Sequence, residues 1–171
     1  MKASRYLQKQ NKNMDGKNIQ NSILDELFSY AKEIMNAHKM FPYVSFIVKK
    51  NVVIARGYNC ERETFDLTNQ DQVVSIRAAQ KALDTGDLKG YSLLSFFEPT
   101  ILAFDVSLWS GITDFHWCIS SKSYQEIYKT VNYSVVDFAK ANPDKITIKQ
   151  GLKEKEALAL VDIAKKKGFF S

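Results

Sequence analysis

The chain has 171 residues, enough for one full-sized domain and too few for two. With 45% hydrophobic and 25% charged residues, and only 7 Gly and 3 Pro, its composition excludes fibrous, low-complexity and wholly disordered proteins. The net charge of +5 sits at the ends: residues 1–22 and 140–171 each carry +4, and residues 23–139 carry −3. A nucleic-acid groove would interleave basic residues with aromatics across the body, so the basic ends read as solvated termini. No apolar stretch reaches the roughly 18 residues of a membrane span. Residues 1–22 hold no apolar segment suited to a signal sequence. Two cysteines, Cys60 and Cys118, cannot staple a scaffold of this size, and they fit free thiols in a reducing compartment. The expectation is a cytoplasmic protein that does not contact a membrane.

Residues 1–22 are polar and read as a flexible N-terminal arm, followed by a single domain over 23–171. From Ile23 to His38 apolar residues recur at helical spacing, with Asn21 or Ser22 as the cap. Tyr43 to Val48 and Val52 to Gly57 are rich in β-branched residues and split by Lys49-Lys50-Asn51, which predicts a hairpin. A polar loop, Asn59 to Asn69, leads into a helix over Val73 to Leu83. Tyr91 to Phe97 reads as a buried strand. Pro99 opens a second helix, Thr100 to Trp109, that is apolar nearly all round and ends at Gly111. Phe115 to Ile119 is a strand, Tyr124 to Lys140 one helix or two short ones, Ile146 to Lys149 a short strand, and Leu152 to Lys167 a final amphipathic helix.

Strands alternating with helices predict an α/β fold, a three-layer α-β-α sandwich around a five-stranded mixed sheet. The two helices that are apolar on most faces should be buried side by side on one face of that sheet. Their N-termini, near Gln70 and Thr100, should then lie together, where unpaired N–H groups and helix dipoles favour anionic or polar ligands.

Several segments in combination carry a resemblance. They are Phe46-Ile47-Val48 with Ile54-Ala55-Arg56-Gly57-Tyr58-Asn59, Val73 to Ala79, Glu98-Pro99, Leu108 to Ile112, and Gly151 to Leu160. From about Leu24 to about Lys167 the chain resembles the zinc-dependent cytidine deaminase-like superfamily, nearest the branch of guanine deaminases and tRNA adenosine deaminases. The resemblance implies a motif H-x-E on the first site helix and P-C-x-x-C on the second. In such a site a His and two thiolates hold zinc, the zinc lowers the pKa of bound water to about 7, and the Glu shuttles a proton. The matching positions here are Gln70 for the His, Gln72 for the Glu, Thr100 for the first Cys and Ala103 for the second. The spacing is kept and the chemistry is not. A Gln amide is a poor zinc ligand, Thr is a neutral hydroxyl at pH 7, Ala has no donor, and the Gln72 amide cannot relay a proton, a role worth about 10²–10⁴ in rate. The resemblance also implies a purine pocket. There Asn59 is retained, Glu98 stands next to the second motif, and Val44 takes the place of a Gly, adding volume at the pocket floor.

Other placements compete. His116 and Cys118 share one face of a strand and, with Cys60, offer a relocated metal set, against the plainer reading of core residues. Asp71 and Glu98 offer a carboxylate pair, against helix capping. Gln70, Gln72 and Thr100 offer a neutral hydrogen-bond cluster plugging the old metal position, against an amide edge presented to a purine-like ligand. Trp109, Phe115 and Trp117 read as core or dimer contact rather than a stacking platform for bases.

The leading expectation is a deaminase-like domain without catalysis, holding no zinc, that acts as a binding or assembly module. Its partners would be a second copy in a homodimer, a related subunit in a hetero-oligomer, or a nucleobase or nucleoside ligand. The alternatives are a nucleobase or nucleoside deaminase, or another hydrolase, with a rearranged site, and an RNA-binding module acting through the basic ends.

Overall fold

Alternation of side chains along the central strands sets the architecture. The computed structural model describes residues 18–124, 134–140 and 145–169. Most of the expected arm, part of the segment read as helix between Tyr124 and Lys140, and Pro143 lie outside them. The strands are β1 (Val44–Lys49), β2 (Val52–Tyr58), β3 (Ser92–Phe97), β4 (Asp114–Ile119) and β5 (Thr147–Lys149). They form one sheet in the order β2-β1-β3-β4-β5. β1 runs antiparallel to β2 and to β3, while β4 lies parallel to β3 and to β5. Lys50 and Asn51 both have positive φ, the geometry of a two-residue hairpin turn whose twist matches that of the strands.

The helices are α1 (Asn21–His38), α2 (Glu61–Thr64), α3 (Asp71–Leu83), α4 (Ile101–Trp109), α5 (Val135–Lys140) and α6 (Glu154–Lys166). Phe46, Val48, Leu94, Phe96 and Cys118 project to one side of the sheet, against Leu24, Leu27 and Ala31 of α1 and Leu160 and Val161 of α6. Ile47, Leu93, Phe115 and Trp117 project to the other, against Ile76 and Ala79 of α3 and Phe104 of α4. Both faces are therefore covered, which is the predicted three-layer sandwich. Parallel neighbours need a crossover, and α4 supplies the one between β3 and β4. No helix among the described residues is long and apolar enough to cross a membrane.

Four local expectations change. α1 starts at Asn21 after Gln20, whose side chain makes no capping bond, so neither Asn21 nor Ser22 is the cap. The loop after β2 contains the single turn α2, whose start is tied by the Glu61 N–H donating to Asn59 Oδ1 at 3.0 Å. Pro99 does not occupy the first turn of α4. Thr100 is the N-cap and Pro99 precedes it, because only the Thr hydroxyl can accept from the Ala103 N–H. Finally, α4 is not covered all round: Ala103, Phe104 and Ser107 are buried, whereas Ile101, Leu102 and Trp109 are exposed.

Candidate functional site at the paired helix N-termini

Helices α3 and α4 begin side by side. Gln70 is the N-cap of α3, but its side chain does not cap its own helix. Its Oε1 instead accepts a hydrogen bond from Thr100 Oγ1 at 2.5 Å, across 30 residues of sequence. Thr100 Oγ1 in turn accepts from the Ala103 N–H at 3.2 Å. The hydroxyl thus uses its proton on one helix and a lone pair on the other, and the pair locks the two starts together. Three of the four positions singled out by the motif spacing meet in one hydrogen-bonded chain. Gln72, the fourth, is buried on α3, and no side-chain bond joins it to Gln70 or Thr100. The neutral cluster read from the sequence has two side chains and one backbone amide rather than three side chains.

The surrounding loop is positioned by short-range polar contacts. Asn59 donates its N–H to Tyr43 O, placing it at the end of β1, but its side-chain oxygen is already used on α2. Arg77 of α3 donates to Asn69 Oδ1 and Thr68 Oγ1, and the Cys60 N–H donates to Asn69 O, so the residues before Gln70 are knitted to the helix they introduce. Glu98 is buried. Its Oε2 accepts from the Ser121 N–H at 2.7 Å, and its Oε1 from the Ser134 hydroxyl and the Val135 N–H at 2.5 and 3.0 Å. It caps α5 and ties the turn after β4, a structural duty on elements that the sequence did not suggest. Val44 is fully buried in the cluster beneath α1, on the opposite side of the sheet from Ile47 and α3.

Asp71 stands in the first turn of α3, as expected, but does not face solvent. Its carboxyl is buried against β1 near Ser45, and its Oδ2 has no hydrogen-bond partner. Burial pushes its pKa up to about 8, so the acid keeps its proton at neutral pH. Ser45 and Ser75 bond to each other at 2.9 Å beside it. Small polar residues facing each other from a central strand and a helix were the sequence signal for this polar recess. Asp71 and Glu98 make separate sets of contacts and not a shared pair.

The relocated metal set does not assemble. Cys118 lies in the α1 and α6 core, and burial pushes its thiol up to about 12. His116 is buried, and its Nε2 meets Asp114 Oδ2 at 3.0 Å. Burial also raises the Cys60 thiol, which sits in the loop before α2. Among the described residues no group of three His, Cys, Asp or Glu side chains could hold a metal ion. A zinc ion of the deaminase kind needs an imidazole and two thiolates. An amide oxygen, a hydroxyl already used twice and a methyl do not fit it. Of the aromatic set, Phe115 and Trp117 are core, whereas Trp109 is on the surface.

No family model and no curated protein matches the sequence. Solved structures do match in three dimensions. A guanine deaminase from Nitrosomonas europaea superposes with a TM-score of 0.70 at 20% identity, covering 82% of each chain. A structure from a study of A-to-I editing by tRNA:A34 deaminases gives 0.63 at 19% identity, covering 82% of this chain and 99% of that one. Guanine deaminase from Bacillus subtilis gives 0.58 at 22% identity, covering 79% and 100%. The chain has the cytidine deaminase-like fold.

Proposed function

We propose that this chain is a non-catalytic deaminase-like domain, working in the cytoplasm as a binding or assembly module without zinc. The observation that supports this reading most is the Thr100–Gln70 hydrogen bond. At the place where hydrolytic deamination needs an activated water, the two helices meet through neutral groups that satisfy each other. Neither can release or accept a proton in the useful range. Asp71, the titratable group nearest in sequence, is buried against β1 and keeps its proton. A hydrolase without metal activation or a proton relay forfeits the 10²–10⁴ of acid–base assistance, and the metal's share on top of it. A buried polar pair at a helix junction also has a positive role, since it specifies how the two helices dock and keeps their N-termini satisfied.

The test is ammonia release by the purified full chain, with added zinc, from guanine, from cytidine and from adenosine in an anticodon stem-loop. The expected result is no release above the uncatalysed rate for all three. Turnover of any of them that is lost in Thr100→Ala would overturn the reading.

A further inference from the structure

Helix α1 ends on a histidine whose ring is held from two sides. His38 is its last residue, and the chain turns at once through Lys39, whose φ of 54° is left-handed. His38 Nδ1 lies 2.5 Å from Oε1 of Glu63, on the single turn α2, across 25 residues of sequence. The other oxygen of that carboxylate accepts from the Tyr58 hydroxyl at 2.9 Å. The imidazole also packs on the Tyr58 ring, with centroids 4.6 Å apart. One carboxylate therefore joins the end of α1, the end of β2 and the loop after β2. That loop closes on itself through the bond from the Cys60 N–H to Asn69 O at 3.0 Å, and it delivers Gln70 to the junction with Thr100. The His38 side chain is 28% exposed and that of Glu63 45%, so protons from solvent reach the pair.

We propose that His38, Glu63 and Tyr58 form a proton-sensitive clasp, which fastens the loop before α3 when the imidazole is charged and loosens it when the imidazole is neutral. Two contributions favour the fastened form. The Glu63 carboxylate faces the ring nitrogen directly, and a charge-assisted hydrogen bond is stronger than a neutral one. The C-terminal end of α1 also carries partial negative charge, which favours a cation in its last turn. A neutral imidazole keeps a hydrogen bond to Glu63 through an Nδ1–H but loses both electrostatic contributions. Histidine is the side chain that changes charge between about pH 5 and pH 8. The titratable groups packed around the pair keep their protons there. Burial, with the bond to Glu63, pushes the Tyr58 phenol up to about 12, and burial also raises the Cys60 thiol before Glu63 and the Tyr30 phenol on α1. Arg62 and Lys39, the chain neighbours of Glu63 and His38, are the adjoining cations. The clasp is therefore tightest at the acid end of this range and weakens as pH rises through it.

The clasp does not depend on whether the Gln70–Thr100 junction is catalytic, so ammonia release and loop protection report separately. The experiment is amide hydrogen exchange of the full chain at about pH 5.5 and about pH 8, corrected for the intrinsic rate at each pH and read over residues 60–69. The wild type is compared with Glu63→Gln, which keeps an acceptor for Tyr58 and removes the charge, and with His38→Phe, which keeps a ring against Tyr58 and removes Nδ1. Both side chains reach solvent, and far-UV circular dichroism with thermal melting confirms that the variants fold. Ionisation of Asp71 on global unfolding is common to all three proteins and cancels between them. The protection of the loop at the lower pH relative to the higher is expected to be about three- to five-fold larger in the wild type than in either variant. That is the fold-change of a part-exposed ion pair worth about 0.6–1 kcal/mol. The same ratio in all three proteins, or better protection of the wild-type loop at the higher pH, would overturn the proposal.

Discussion

Gly57→Ala is expected to be among the most damaging small substitutions in the chain. A Cβ built at Gly57 would lie 2.2 Å from Asp71 O and 2.6 Å from Ser75 N. Both are backbone atoms of the first turns of α3, so neither can swing aside as a side chain would. Relief requires β2 and the start of α3 to separate, which opens the layer where Ile47, Ile76 and Ala79 pack. Overpacking typically costs 1–3 kcal/mol, and a clash of backbone with backbone belongs at or above about 3 kcal/mol. In a chain of this size that lowers Tm by about 6–12 °C. Gly86→Ala is the control, because a Cβ there meets nothing within 4 Å. It is expected to leave Tm unchanged or slightly raised through the unfolded state. Thermal melts of the two variants check the claim. Equal behaviour would show that β2 and α3 are not in this close contact.

Asp71→Asn is expected to stabilise the protein in alkaline solution and to flatten its stability–pH curve. The Asp71 carboxyl is fully buried, and desolvation raises its pKa from 3.8 to about 8. Glu61 adds to the rise, while the Ser45 hydroxyl and nearby backbone amides oppose it. The Tyr43 and Tyr30 phenols on the neighbouring elements are raised chiefly by their own burial, and the Asp71 carboxyl adds to that rise. In the unfolded chain the same carboxyl ionises near 3.8. Between about pH 4 and pH 8 the native state therefore holds a proton that the unfolded state has released. Stability falls as pH rises through that window and levels off above it. A shift of this size corresponds to several kcal/mol on the order-of-magnitude scale of about 1.4 kcal/mol per unit. Asn keeps the shape and cannot ionise, so the variant loses this slope. Tm measured from pH 5 to pH 9 for both proteins should diverge progressively, with the Asn form the more stable at the top. Parallel curves would mean that Asp71 is solvated and ionised in the native state.

Much of this was legible in the sequence because hydrophobic periodicity dictates which faces are covered. The β-branched runs around Phe46-Ile47-Val48 and the alternation of strands with helices announced the hairpin and the sheet covered on both faces. The apolar character of the two helices placed their starts near Gln70 and Thr100 together, and the Thr100–Gln70 contact lies there. What was not legible depended on where side chains turn once packed. Thr100 displaced Pro99 from the expected first-turn position because a hydroxyl can cap and a proline cannot. Glu98 turned toward Ser121 and Ser134, partners from a later part of the chain that no local pattern announces. Trp109 has the composition of a core residue, and only the extent of the sheet decides that it lies beyond the covered area. Asp71 looked like a first-turn acid of the usual kind. Its burial follows from the room that Ser45, Ser75 and Gly57 leave between β1, β2 and α3.

The most direct test of the account is zinc content, measured by mass spectrometry on protein purified without chelators, for the wild type and for the combined variant Gln70→His, Gln72→Glu, Thr100→Cys and Ala103→Cys. The wild-type chain is expected to hold far less than one zinc, and the folded variant close to one per chain, because Gln70 and Thr100 at the two helix starts are already in contact. A tightly held, stoichiometric zinc in the unmodified protein would contradict it.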